Sequence, residues 1–155
     1  MSDTSLLDNP DILRSMIMDH YQYPRNHVLV ENDPKYNSKH MASDSCIDDI
    51  TVQSDIENGV IKDIRFNGVA CTISTASTSV MTELLKGKTV EEAKKIIENY
   101  FAMVDGKEYD PELLDEAVIM KGVYKQPNRI KCATTGWHAM EQMIEESEEN
   151  NGRNK

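Results

Sequence analysis

Three cysteines are the residues of this sequence best suited to chemistry: Cys46, Cys71 and Cys132. Their odd number and wide spacing argue against a secreted disulfide framework and favour a thiol or metal role in a reducing compartment. Asp48 follows Cys46 by two residues, and in an extended segment such residues point the same way. Three thiolates and one carboxylate suit a four-coordinate Zn²⁺ site, whereas Mg²⁺ and Ca²⁺ prefer oxygen ligands. The sequence therefore suggests that Cys46, Asp48, Cys71 and Cys132 hold one metal ion.

Spacing alone leaves a structural role for these cysteines open. A free cysteine commonly behaves as a small buried hydrophobe, and the gaps match no standard zinc finger. If a metal is bound, Arg129 and Lys131 are the nearest cations in sequence to offset the anionic ligands. His40, six residues before Cys46, is a possible substitute ligand. The other histidines, among them His20, show no metal-binding spacing and are expected at the surface or at the edge of the core.

The first half of the chain predicts one helix and an antiparallel sheet. Asn9 is a plausible N-cap before Pro10, and Pro24 ends the helical pattern. Residues 26–45 have no steady period and are predicted to form a long polar connection. Asn58-Gly59 lies between two segments of alternating apolar residues, which is typical of a type I′ hairpin.

The second half is predicted to be helical. A helix is expected over residues 72–86, and a second is expected to begin at Thr89, which can form a capping box with Glu92. Two more are expected to begin at Asp110-Pro111 and near Cys132. Cys71 and Cys132 would then lie at helix N-termini, where a thiolate is stabilised. The pattern predicts an α+β fold with about three antiparallel strands packed against several helices. We expect one domain over residues 1–155, with flexible residues 1–8 and 146–155 at its ends.

Composition disfavours two function classes. The net charge of −10 repels phosphate, and there is no basic stripe, so nucleic-acid binding is not expected. A membrane role is not expected either, because no apolar run approaches the ~20 residues that span a bilayer. The polar, acidic start shows no export signal, which predicts a cytoplasmic protein.

The three cysteine segments together resemble a known family. They are similar to the corresponding segments of the SufU branch of the NifU/IscU-like proteins. The segments that carry the resemblance are Cys46-x-Asp48, Gly68 to Ser77, and Arg129-Ile-Lys-Cys132-Ala-Thr, together with Met18-Asp-His-Tyr21 and Pro24-Arg-Asn26 in the first helix and just after it. The resemblance runs from about Ile12 to Ile144. The long stretch between Cys71 and Cys132, and Lys131 where scaffold-type members have histidine, favour the SufU branch.

This resemblance implies an IscU/SufU-like fold and a sulfur-transfer function. Cys46, Asp48, Cys71 and Cys132 would be zinc ligands, Cys46 would be the sulfur acceptor, and Arg129 would lie near the metal. As a sulfurtransferase-like acceptor, the chain would take persulfide sulfur from a pyridoxal-phosphate cysteine desulfurase (SufS-like). It would pass that sulfur to a downstream iron–sulfur scaffold (SufBCD-like).

Two alternatives remain open at the level of sequence. The same residues could bind iron or assemble a [2Fe–2S] cluster, as IscU-type scaffolds do, although the cationic Lys131 counts against this. Alternatively, zinc could be a purely structural staple. The chain also departs from the family pattern Cys-Gly-Asp, because Ile47 occupies the glycine position. A β-branched residue disfavours positive φ, so either the loop keeps a negative φ at Ile47 or the geometry around Cys46 differs from that of the family.

Overall fold

The computed structural model describes residues 9–42 and 48–153 and contains a three-stranded antiparallel sheet with helices. The sheet order is β1-β2-β3. The strands are β1 (Asn37–Ala42), β2 (Asp49–Glu57) and β3 (Val60–Val69). The helices are α1 (Pro10–Gln22), α2 (Thr72–Leu85), α3 (Val90–Val104), α4 (Pro111–Leu114) and α5 (Pro127–Arg153), with 3₁₀ segments at Asp115–Met120 and Val123–Lys125. The predicted α+β fold class is confirmed.

Local signals in the sequence mark several element ends correctly. Asn9 caps α1 by accepting the N–H of Asp11 at 2.9 Å. Asn58 and Gly59 have φ values of 53° and 76°, as a type I′ hairpin turn requires. The predicted capping box at the start of α3, between Thr89 and Glu92, is formed. Each signal involves residues within three positions of each other, so the interaction itself needs no tertiary partner.

The core lies between the sheet and the helices. Helix α5 packs on β1 and β2 and also contacts α2 and α3, while α1 packs on α2. The largest fully buried side chains include Trp137, Tyr100, Phe66, Ile50, Ile61 and Ile64. In the described part of the chain, no helix combines the length and the apolar character needed to cross a membrane.

Two predictions about element bounds are wrong. Strand β1 lies inside residues 26–45, which the sequence indicated as a connection, because the edge strand is exposed and carries little periodic signal. Helix α5 begins at Pro127, ahead of Cys132. It also continues through Arg153, and the flexibility expected of residues 146–155 stays a prediction. The acidic residues there are held by ion pairs, between Glu146 and Lys39 and between Glu148 and Lys94.

His20 is fully buried, which corrects its predicted position at the surface or core edge. Its Nδ1 lies 2.8 Å from Ser79 Oγ, and its Nε2 lies 2.9 Å from Glu116 Oε1. Ser79 Oγ also accepts the N–H of Arg25 at 2.8 Å, so the Ser79 side chain contacts both His20 and the backbone that follows α1. This chain of hydrogen bonds ties α1 to α2 and to the first 3₁₀ segment.

Gly136 marks a close approach of α5 to α2. A Cβ at Gly136 would lie 2.5 Å from Thr78 Oγ1, whereas a Cβ at Gly122 would meet nothing within 4 Å. We expect Gly136→Ala to lower the free energy of unfolding by about 1–3 kcal/mol relative to Gly122→Ala, because overpacking strains a buried contact. Urea denaturation of both variants measures the difference. Equal effects at the two glycines would contradict the close packing of the helices.

Candidate metal centre

Three of the four predicted ligands lie together. The ligand atoms of Asp48, Cys71 and Cys132 are all within 4.8 Å of one another. Asp48 immediately precedes β2 and Cys71 closely follows β3, and the pairing of Asp49 with Val69 sets these two strand ends side by side. Cys132 comes from α5, which packs on α2. The site therefore forms where the sheet and two helices meet.

Asp48 is the buried carboxylate of this group, with 2% of its surface exposed. Its Oδ1 accepts the backbone N–H of Cys71 at 2.8 Å, and its Oδ2 lies 4.0 Å from Cys71 Sγ. One oxygen thus fixes the carboxylate to the start of α2. The other oxygen remains directed toward the thiols.

Cys71 is the N-cap residue of α2, as the sequence predicts. Its backbone is extended, and its Sγ accepts the N–H of Ser74 at 3.4 Å. This N–H therefore directs a hydrogen-bond donor at the sulfur from the first turn of α2. Ser74 was not identified from the sequence as a hydrogen-bond donor to the site. Its position three residues after Cys71 at the predicted start of a helix is the signal that could have identified it.

Cys132 is not at a helix N-terminus, which corrects the prediction for this residue. It lies within α5, past the first turn, and it is buried. Burial, together with the neighbouring Cys71 and Asp48, raises the pKa of Cys132 to about 12. Thiol protons at such a site are released when a cation binds, because the cation offsets the clustered negative charge.

A buried hydrogen-bond network holds α5 against α2 beside Cys132. The Ser77 and Tyr100 hydroxyls donate to the carbonyl of Ala133 at 2.5 and 2.6 Å. Trp137 Nε1 donates in turn to Ser77 Oγ at 3.0 Å. Because Ala133 follows Cys132, these bonds set the position of Cys132 relative to Cys71. The partners are 33 to 60 residues apart in sequence, so no local pattern indicates them.

The remaining predicted site residues are not part of this group. Cys46 and Ile47 lie outside the described residues. Arg129 is exposed in the first turn of α5, as is Lys131 nearby, so charge compensation by either residue remains a prediction. The exposed side chain of His40 is hydrogen-bonded to Asp49, with Nε2 2.6 Å from Oδ1.

Comparison with known proteins places this chain in a family. The model of the NifU-like N-terminal domain matches residues 12–152. The chain belongs to this family. It is 36% identical over 152 residues to the zinc-dependent sulfurtransferase SufU of Bacillus subtilis, an alignment that covers 97% of this chain and 100% of that protein. It is 35% identical to the scaffold protein IscU of Streptococcus pyogenes, covering 86% of this chain and 82% of that protein.

Solved structures of this family share the fold. One is described as a putative iron–sulfur cluster assembly scaffold for the SUF system from Fervidobacterium islandicum. It aligns with a TM-score of 0.74 and 34% identity, over 81% of this chain and 91% of that chain. A hypothetical protein aligns with a TM-score of 0.81 and 33% identity, over 88% and 99% of the two chains. The predicted SufU-type resemblance and the IscU/SufU-like fold are both confirmed.

Proposed function

We propose that this NifU-like chain is a zinc-dependent sulfur-transfer protein of iron–sulfur cluster assembly. The observation that carries the proposal is the grouping of Asp48, Cys71 and Cys132 within 4.8 Å, with Cys46 two residues before Asp48 in sequence. The relative from Bacillus subtilis, which carries that function in its name, aligns with nearly the whole chain. Iron–sulfur cluster assembly is the general process, and sulfur transfer is the specific step that we propose for this chain.

The donor set fits zinc. Tetrahedral ligands bonded at about 2.3 Å are about 3.7 Å apart, so donors within 4.8 Å need only small shifts to share one ion. Two sulfur donors and one oxygen suit Zn²⁺ better than Mg²⁺ or Ca²⁺. When bound, zinc keeps its cysteine ligands deprotonated at neutral pH. Asp48, Cys71 and Cys132 would hold it, with Cys46 as the fourth ligand.

The transfer step uses Cys46 as the nucleophile. The Cys46 thiolate attacks the outer sulfur of a persulfide carried by a pyridoxal-phosphate cysteine desulfurase of the SufS type. A new S–S bond forms on Cys46, the S–S bond of the desulfurase breaks, and the desulfurase cysteine leaves as a thiolate. One sulfur atom moves without net oxidation or reduction. The Cys46 persulfide then passes its outer sulfur to a SufBCD-type scaffold.

The contacts of Asp48, Cys71 and Cys132 support separate roles for metal retention and sulfur transfer. Asp48 is fixed by the Cys71 N–H, and Cys132 is fixed through the Ser77 and Tyr100 hydrogen bonds to Ala133. We therefore assign metal retention to Asp48, Cys71 and Cys132, and sulfur transfer to Cys46.

Cys46→Ala tests this assignment directly. We expect the variant to keep its fold and much of its zinc but to lose stimulation of a SufS-type desulfurase. Sulfide release from cysteine measures the stimulation, and metal analysis measures the zinc. The neighbouring substitution Ser45→Ala is the control and should leave both unchanged. Normal stimulation by Cys46→Ala would refute the transfer role, and lowered stability with intact transfer would favour zinc as a structural staple.

A scaffold function is the second candidate, and the similarity to the Streptococcus pyogenes scaffold IscU favours it. Thiolates hold [2Fe–2S] clusters as well as zinc. Against it, Lys131 precedes Cys132 and an ammonium group cannot be a ligand. Anaerobic reconstitution with iron and sulfide distinguishes the two. A stable cluster that transfers to an apo-protein would rank the scaffold function first.

A further inference from the structure

A cavity of about 570 Å³ lies away from the metal centre. It opens between the start of α1, the loop after α3 and the second 3₁₀ segment. None of the described metal ligands lines it. We call it the basic cavity, because its lining includes Lys107, Lys121 and Lys125 and, among the residues that the structure describes, no acidic side chain.

The charge of this cavity is opposite to that of the whole molecule. The chain has a net charge of −10, with 27 acidic residues, yet three lysines converge here. Lys107 and Lys125 are exposed, so their ammonium groups can reach an incoming ligand. A local positive region on an acidic protein attracts anionic groups that the rest of the surface repels. The cavity therefore selects for negative charge.

The lining of the basic cavity also includes apolar and aromatic residues. Met103 is buried at its base, and Leu13 is partly buried. Tyr124 is 45% exposed, and its ring packs against Gly106, where a Cβ would lie 3.0 Å from the ring. Lys125 Nζ lies 5.7 Å from the centre of that ring. An exposed aromatic ring beside cations over an apolar base is typical of a protein-binding site.

We propose that the basic cavity binds an acidic peptide segment of a partner protein. An apolar side chain of that segment would contact Leu13 and Tyr124, while flanking carboxylates would pair with Lys107 and Lys125. Lysines bind phosphate as well as carboxylates, because each ammonium group acts as a point charge, so the apolar part of the lining decides between the two ligands. The apolar base would remain uncovered by phosphate. This proposal is independent of the metal centre and of sulfur transfer.

The probe is a fluorescein-labelled peptide, Asp-Glu-Leu-Asp-Glu-Phe-Glu-Asp, titrated with the full chain and followed by fluorescence anisotropy. We expect Lys107→Glu/Lys125→Glu to weaken binding by about tenfold or more, since close charge pairs at an interface become repulsive. Tyr124→Ala should weaken binding without changing the charge. The matched control is Lys62→Glu/Lys95→Glu, which makes the same charge change at exposed lysines outside this cavity. Circular dichroism confirms that each variant is folded.

Several outcomes would overturn the proposal. Equal losses in the two double variants would indicate nonspecific attraction. Absence of binding at about 1 mM wild-type protein, a weak affinity for any specific site, would also refute it. If inorganic phosphate displaces the peptide more than sodium chloride of equal ionic strength does, the cavity is a small-anion site. If sedimentation shows a dimer that only the Lys107/Lys125 variant disrupts, and no peptide binds, the occupant is a second copy of this chain.

Discussion

Asp48→Ala is expected to lower the affinity for zinc by at least about 100-fold, since changing even an outer-shell partner of a metal ligand costs 10–100-fold. The substitution removes the buried carboxylate and also leaves the Cys71 N–H without its acceptor. Competition with a chromophoric chelator measures the affinity. Asp48→Asn separates the two effects, because the amide oxygen can still accept that N–H while the negative charge is lost.

Asp49→Ala is the matched control for the aspartate ligand. Asp49 is adjacent in sequence, but its side chain is exposed and hydrogen-bonded to His40. Alternation along the strand places the two carboxylates on opposite sides, so only Asp48 faces Cys71 and Cys132. We expect Asp49→Ala to bind zinc as the wild type does. Similar affinities for the Asp48 and Asp49 variants would remove Asp48 from the ligand set.

Trp137→Ala is expected to lower the free energy of unfolding by about 3–5 kcal/mol, as is typical of a large aromatic side chain lost from a core. Trp137 is fully buried and stacks on Tyr100 with ring centres 3.7 Å apart. Its Nε1 donates to Ser77 Oγ, so the substitution also disturbs the network beside Cys132. Chemical denaturation with excess chelator measures stability without a contribution from bound metal.

Trp137→Phe separates packing from hydrogen bonding at this position. Phenylalanine keeps an aromatic ring near Tyr100 but cannot donate to Ser77, so the loss should be smaller than for alanine. Because Ser77 also holds the carbonyl of Ala133, we expect the alanine variant to bind zinc less tightly as well. Equal stability of the alanine and phenylalanine variants would show that the stacked ring contributes little.

Elements marked by adjacent residues were predictable from sequence. The start of α1 at Pro10, the hairpin at Asn58-Gly59 and the capping box at Thr89 all follow from side chains that satisfy backbone groups close by in the chain. Such interactions need no tertiary partner. Strand β1 was missed because it is an exposed edge strand with a polar sequence. Pairing with β2 stabilises it, and no pattern within residues 37–42 indicates that pairing.

The ligand types were determined by the sequence, and their arrangement by the fold. Cysteine and aspartate in these segments indicated a metal site, and Asp48, Cys71 and Cys132 do lie together. Their meeting depends on the register of β2 with β3 and on the packing of α5 against α2. Cys132 was expected at a helix start, yet it lies further along α5 because the helix begins at Pro127.

By itself, the sequence determined the family resemblance, the α+β class and the residues proposed as metal ligands. Only the tertiary structure decided that His20 is buried, that Ser77, Tyr100 and Trp137 hold α5 in place, and that lysines converge on one cavity. The physical reason is the separation along the chain between the groups that interact. Capping and turn formation act over a few residues, whereas the hydrogen bonds of His20 reach side chains 59 and 96 residues away.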